Sequence, residues 1–336
     1  MNKIAIIGAG GWGTALAIRL SQKADRIGLW VFEPELCESL LETRANDLYL
    51  PGYFIPANVE PTHDLAAALA GAEVILTAVP SQHVRSVYQQ IAAALKGASG
   101  AKCIFVSATK GLENGTRLRM SQVVEEVLTP HFHPQLAALS GPTFAREVAH
   151  GSPTAVVIAS SDEALAARLQ RHFSSSAFRL YTNTDVAGVE IGGAVKNVIA
   201  IAAGVCDGMG LGSNAIAALI TRGLSEITRL ACACGGRRET MAGLAGLGDL
   251  VLTCTGALSR NRSVGVELGR GRPLGEILSS MRMVAEGVNT TAETVQLAKE
   301  KGVEMPITEQ MYALLYHNRS PQNAVRELME RALRPE

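Results

Sequence analysis

The sequence predicts two fold classes in succession: an α/β domain built on a mostly parallel sheet, then an all-α domain. Three observations predict this. Short Val-, Ile- and Phe-rich runs alternate with helical stretches through the first half. From Gly188 to Gly256 the chain is rich in Ala and Gly, poor in charge, and lacks strand-like alternation. The length of 336 residues, with 47% apolar and 18% charged side chains, suits two domains with sizeable cores and excludes a disordered chain.

In chain order, strands are expected at residues 4–7, 27–32, 74–78, 103–107, 136–140, 155–158 and 178–181, each bounded by Gly, Pro, Ser or Asn. Helical stretches lie between several of them, at residues 14–22, 84–95, 118–128 and 163–173. Strands alternating with helices imply βαβ units and a sheet covered on both faces. In the second half, small residues let helices approach closely, as in the buried centre of a helical domain. Thr290 and Glu293 have capping-box spacing. Pro306 stands where a helix can start, and Ile307, Met311, Leu314 and Leu315 then recur at helical spacing. No low-complexity linker or repeat interrupts the chain. The expected domains are 1–187, binding a dinucleotide, and 188–336, binding substrate, abutting around a cleft.

Lys plus Arg and Asp plus Glu both number 31, so no global basic field exists to hold nucleic acid or an anionic membrane. No run of 18 uncharged apolar residues suggests a membrane span, and no signal-peptide pattern opens the chain. The six cysteines form no Cys-x-x-Cys pair and read as reduced thiols. Cys232 and Cys234 read as small residues on a packed helix, and His131 and His133 as a polar loop. No metal site is expected.

Gly8-Ala9-Gly10-Gly11-Trp12-Gly13 fits G-x-G-x-x-G. Alone the pattern is weak. Here a strand enters it, a helix leaves it, and a second strand ends at Glu33, 20 residues after Gly13. That is the context of a Rossmann-type dinucleotide fold. Gly8 permits the tight turn, Gly10 lets the backbone approach a pyrophosphate, and Gly13 lets the helix pack closely. The helix N-terminus offers N–H groups and positive dipole to the phosphates. Glu33 would take ribose hydroxyls and repel a 2′-phosphate, which argues for NAD over NADP, unless Arg44 or another cation folds over the site. Phe32 has two readings: a stacking partner for adenine, or an apolar strand end.

A hydride enzyme also needs a proton donor and substrate contacts. Lys110 follows a strand whose C-terminal end faces the ligand crevice of a parallel sheet. Lys196 is one charge in an Ala/Gly/Val helix. Burial there is costly unless the amine is paired or functional, and it favours the neutral form that a general base requires. Asp249, in an equally apolar stretch, is either its partner or a helix cap. Ser259-Arg260-Asn261-Arg262 at a helix start reads as a phosphate site or as a capped surface helix.

Taken together, Gly8-x-Gly-Gly-Trp-Gly-Thr14, Ala108-Thr-Lys-Gly-Leu-Glu113, Ser140-Gly-Pro-Thr-Phe-Ala145, Gly192-Gly-Ala-Val-Lys-Asn-Val-Ile-Ala200, Gly246-Leu-Gly-Asp-Leu-Val-Leu-Thr-Cys254, Ser259-Arg-Asn-Arg262 and Glu304-Met-Pro-Ile-Thr-Glu309 resemble NAD(P)-dependent glycerol-3-phosphate dehydrogenases of the bacterial type, in order and over nearly the whole chain. The resemblance implies reversible reduction of dihydroxyacetone phosphate to sn-glycerol 3-phosphate with NAD(H) or NADP(H), feeding phospholipid synthesis in the cytoplasm. It makes Lys196 the proton donor or acceptor and sets Lys110 between cofactor and substrate. It places Gly141 and Thr143 at the substrate and Ala145 at the cofactor. Asp249, Ser259, Arg260 and Asn261 complete the substrate site, the last three around the phosphate. Arg260, Val284 and Glu286 touch the cofactor, as do Gly11, Trp12 and Phe32. A homodimer is common among such proteins. Many bacterial members carry Ser with Tyr or Phe in place of Gly11-Trp12, and His or Arg in place of Phe32. Trp30-Val-Phe-Glu33 is more similar to the NAD-specific eukaryotic enzymes. The competing readings are a related dehydrogenase for a hydroxy acid or ketopantoate, and a non-catalytic nucleotide sensor. The basic Ser259–Arg262 cluster argues against the first, and a buried Lys196 with Asp249 against the second.

Overall fold

A computed structural model describes residues 1–95, 102–281 and 285–333. The chain divides into two compact units, Met1–Glu113 with Leu118–Glu190, and Asn114–Arg117 with Ile191–Glu336.

Among its described residues the first unit holds eight strands: β1 (Lys3–Ile7), β2 (Arg26–Trp30), β3 (Val59–Thr62), β4 (Val74–Thr77), β5 (Ile104–Ser107), β6 (Gln135–Ser140), β7 (Thr154–Ala159) and β8 (Phe178–Asn183). They form one sheet in the order β3-β2-β1-β4-β5-β6-β7-β8. All pairings are parallel except β6 with β7. The order reverses between β1 and β4, where sheets of this kind open a ligand crevice. Helices α1 (Gly11–Leu20), α2 (Pro34–Thr43), α3 (Leu65–Leu69), α4 (Val84–Ala94), α5 (Met120–Leu128), α6 (Ala145–His150) and α7 (Glu163–Phe173) connect the strands. The sheet separates two apolar cores: Ile4, Ile6 and Leu29 face one with Leu16 and Leu20 of α1, while Ala5, Ile7 and Ile75 face the other with Tyr88 and Ile91 of α4. The period-two side-chain alternation of the strands builds this two-sided burial.

The sequence pattern found seven strands and missed β3. Val59-Glu-Pro-Thr62 is short and holds a proline, which only a sheet edge tolerates, and β3 is that edge.

Helix α8 (Val186–Gly208) runs from the first unit into the second. By length and composition it could cross a membrane, yet 94% of its apolar window is packed inside the protein. The second unit continues with α9 (Gly212–Ala233), α10 (Arg238–Met241), α11 (Asp249–Thr255), α12 (Arg260–Gly269), α13 (Leu274–Ser280), α14 (Glu286–Lys301), α15 (Pro306–Tyr316) and α16 (Pro321–Met329). The small residues act as the sequence suggests. A Cβ on Gly204 or Gly208 would lie about 2 Å from the backbone of α12 (2.1 Å from the Arg262 oxygen, 2.2 Å from that of Val266), so α8 and α12 cross backbone to backbone. Pro306 does open α15, and Ile307, Met311, Leu314 and Leu315 are buried.

Two expectations are corrected. The Thr290–Glu293 capping box is not formed, because α14 begins at Glu286 and Thr290 lies inside it, 2% exposed. Asn261 of α12 caps that helix from a distance, its Oδ1 accepting the Gly287 N–H at 2.9 Å. Cys232 is exposed at the end of α9 rather than packed.

Candidate active site

The glycine motif forms the turn from β1 into α1. Gly8 has φ +109°, and a Cβ on it would stand 2.8 Å from the Ala78 oxygen. On Gly13 a Cβ would stand 1.8 Å from the Gly8 oxygen, so α1 rests directly on the turn. At Gly10 the same atom would meet nothing within 4 Å among the described residues beyond its chain neighbours. Among the described residues no side chain caps α1, and Gly10 is its N-cap residue. The helix therefore offers its first N–H groups across open space reached by backbone alone, a cradle that suits a pyrophosphate. Gly11 is confined on its other side: a Cβ there would lie 2.8 Å from the Tyr49 oxygen and 3.9 Å from the Ala145 Cβ at the start of α6. Buried Trp12 Nε1 has no hydrogen-bond partner among the described residues, and neither do the hydroxyls of Ser107 and Ser140 at the ends of β5 and β6. Orphaned polar atoms along the ends of parallel strands fit a polar ligand laid across them.

Glu33 stands just past β2 as the N-cap residue of α2. The Tyr49 hydroxyl donates to its Oε1 at 2.7 Å. Burial and the Glu33 carboxylate push the Tyr49 phenol up to about 12, so it remains a donor. Phe32 is 68% exposed, its ring in T-shaped contact with Trp30. Arg44 does not fold over Glu33. Its guanidinium donates to the carbonyls of Pro56 and of Val59, the latter at 2.7 Å.

Lys110 follows β5, and its Nζ donates to the Gly141 carbonyl at 2.9 Å and contacts the Thr143 hydroxyl at 3.4 Å. Three expected residues thus converge at the ends of β5 and β6. Arg85 of α4 clamps Glu113 of the same loop through two 2.8 Å hydrogen bonds.

In the second unit, Lys196 is 5% exposed and Asp249 fully buried, and they form an ion pair. Lys196 also donates to the Thr253 hydroxyl at 2.8 Å, which itself donates to the Asp249 carbonyl at 2.6 Å. The arrangement is built locally. A π turn, Leu244–Gly248, delivers Asp249 as the first residue of α11. Gly192 admits that turn against α8, since a Cβ would lie 2.8 Å from the Ala245 oxygen. Asp249 is therefore both partner and helix start. Thr253 was not singled out from sequence; its i+4 spacing from Asp249 on a helix is the signal that could have found it.

At Ser259–Arg262 the two readings divide by residue. Ser259 caps α12, accepting the Arg262 N–H at 3.2 Å. Asn261 is held structurally, donating to Asn197 Oδ1 at 3.0 Å while its own Oδ1 accepts from Gly287. Arg262 pairs with Asp207 at 2.6 Å. Arg260 is exposed at the first position of α12; desolvation by the surrounding protein lowers its guanidinium from the usual arginine range, and the neighbouring Glu286 carboxylate opposes that shift. Of the cluster's side chains, Arg260 is the one presented outward, beside the helix N-terminus. Val284 lies outside the described residues.

Residues 3–166 match the family model described as NAD-dependent glycerol-3-phosphate dehydrogenase N-terminus, and residues 185–326 match its C-terminus counterpart. A glycerol-3-phosphate dehydrogenase (NAD(P)+) of Koribacter versatilis is 60% identical over 333 residues, 98% of each chain. One from Geobacter sp. strain M21 is 55% identical, covering 100% of this chain and 99% of the other. The crystal structure of the Coxiella burnetii glycerol-3-phosphate dehydrogenase superposes with a TM-score of 0.93 at 42% identity, covering 98% of this chain and 99% of that one. The chain belongs to the NAD-dependent glycerol-3-phosphate dehydrogenase family.

Proposed function

We propose that the chain catalyses the reversible reduction of dihydroxyacetone phosphate to sn-glycerol 3-phosphate with NAD(H) or NADP(H), NADH being preferred. The observation that carries this reading is the buried Lys196–Asp249–Thr253 group, in a chain whose other unit holds an uncapped glycine turn and an acid at the end of β2. A non-catalytic sensor would gain nothing from burying that charge pair, whose desolvation is costly. The uncapped helix start, with Gly11, Trp12 and Ala145 around it, would hold the pyrophosphate. Glu33 would take the ribose hydroxyls, and Phe32 would cover the adenine.

When bound, the reduced nicotinamide supplies the hydride that goes to the ketone carbon. Lys196 gives a proton from Nζ to the ketone oxygen as negative charge builds there, and takes it back in the reverse direction. Asp249 holds the ammonium in place, while Thr253 fixes the direction of Nζ. Lys110, held by Gly141 and Thr143, adds positive charge at the substrate. Arg260 and the N–H groups opening α12 hold the phosphate, so that binding at a non-reacting group orients the ketone. The product would feed phospholipid synthesis in the cytoplasm.

The test is consumption of NADH with dihydroxyacetone phosphate, set beside dihydroxyacetone. The phosphorylated ketone is expected to support turnover with kcat/KM at least about a hundredfold higher, since phosphate binding at Arg260 and α12 amounts to several charge-assisted hydrogen bonds. Equal rates with both ketones, or none with the phosphate, would reject the reading. Arg260→Ala is expected to raise KM for dihydroxyacetone phosphate about 10- to 100-fold with kcat changed little, read from steady-state kinetics.

A further inference from the structure

Two features beside the glycine turn are not used by the chemistry above. The first is a strap at residues 45–49. Asn46 is fully buried, and its Nδ2 donates to the Ala9 carbonyl and the Thr14 hydroxyl, both at 2.8 Å. Its Oδ1 accepts the Tyr49 N–H at 3.0 Å. The Tyr49 carbonyl in turn crowds Gly11. Tyr49 is thus anchored at its backbone to the phosphate turn, and its phenol reaches Glu33 Oε1. The second feature is Arg44, whose guanidinium is taken up by the carbonyls of Pro56 and Val59.

We propose that Tyr49 is a specificity-determining residue of the cofactor site: it holds the Glu33 carboxylate at a fixed distance from the phosphate turn and so excludes a 2′-phosphate. This rests on the reading of Glu33 as the ribose-binding acid. A carboxylate that could rotate away would tolerate a phosphorylated ribose. With one oxygen tied to Tyr49, Glu33 can leave only by breaking that hydrogen bond, and the strap behind Tyr49 keeps the phenol from following it. Oε2 remains to accept from a ribose hydroxyl. The same region withholds the compensating cation, because Arg44 would have to give up two backbone acceptors to reach a 2′-phosphate. The phenol stays protonated through the physiological range.

The experiment measures dissociation constants of NADH and NADPH by titration calorimetry, on the full chain and its variants. Tyr49→Phe keeps the ring and removes only the donor. Wild type is expected to bind NADH more tightly, and Tyr49→Phe to shrink the NADPH-to-NADH ratio of dissociation constants by about fivefold to tenfold. In a Glu33→Gln background the same substitution should leave the ratio unchanged, because Tyr49 acts through the carboxylate. A purely structural Tyr49 would weaken both cofactors alike and leave the ratio fixed in either background, which overturns the proposal while the reading of Glu33 stands. A wild type without preference for NADH overturns the reading of Glu33 itself, and the role of Tyr49 with it.

Discussion

Gly13→Ala is expected to abolish useful cofactor binding, raising the dissociation constant for NADH at least about a hundredfold. The added Cβ would stand 1.8 Å from the Gly8 oxygen, well inside van der Waals contact, and that oxygen belongs to backbone. Gly8 has little room to yield, since its own Cβ position is 2.8 Å from the Ala78 oxygen. The start of α1 must therefore lift away from β1, and its N–H groups lose their common focus. Overpacking of this kind costs about 1–3 kcal/mol of stability. The binding loss should exceed that, because phosphate recognition depends on where the helix begins. Calorimetry with NADH checks it: affinity within about twofold of wild type would show that the turn does not hold the pyrophosphate. Gly10→Ala is the informative contrast, since among the described residues its Cβ meets no atom within 4 Å beyond its chain neighbours, and a loss there reports the ligand.

Lys196→Ala is expected to lower kcat by about 10²–10⁴, the range for a lost general acid, with a smaller change in KM. It also leaves Asp249 buried without its cation, which destabilises a fold by about 3–5 kcal/mol. Lys196→Met with Asp249→Asn separates the two effects. The double variant removes both charges at similar volume, so it should fold better than Lys196→Ala and remain as inactive. Activity regained together with folding would show that Lys196 is structural.

The sequence is most legible where burial acts locally. Seven strands stand out because a strand buried on both faces reads as an unbroken apolar run. β3 does not, because an edge strand needs little apolar surface and can accept Pro61. Lys196 and Asp249 stand out for the same reason inverted: a charge in an oily helix must be paired or used. Long-range hydrogen bonds leave no such trace. Asn46 lies 37 residues from Ala9, and Tyr49 16 from Glu33; both stand in the irregular segment after α2, and no period or spacing links them to their partners. The capping of α14 by Asn261 is hidden likewise, so a local Thr290–Glu293 pattern looks like a helix start that the fold does not use. The Ser259–Arg262 cluster shows how far residue type alone carries. Its composition suits a phosphate, yet Ser259, Asn261 and Arg262 each have a structural partner, and only the position of Arg260 in the fold distinguishes it.

The central claim is that the Lys196 ammonium protonates the ketone oxygen, and a single-turnover measurement tests it most directly. Pre-bound NADH is mixed with saturating dihydroxyacetone phosphate, and NADH oxidation is followed in wild type and in the Lys196→Met, Asp249→Asn double variant. The expected result is oxidation slowed about 10²–10⁴-fold with the NADH dissociation constant unchanged. Oxidation at the wild-type rate in the double variant would contradict the claim.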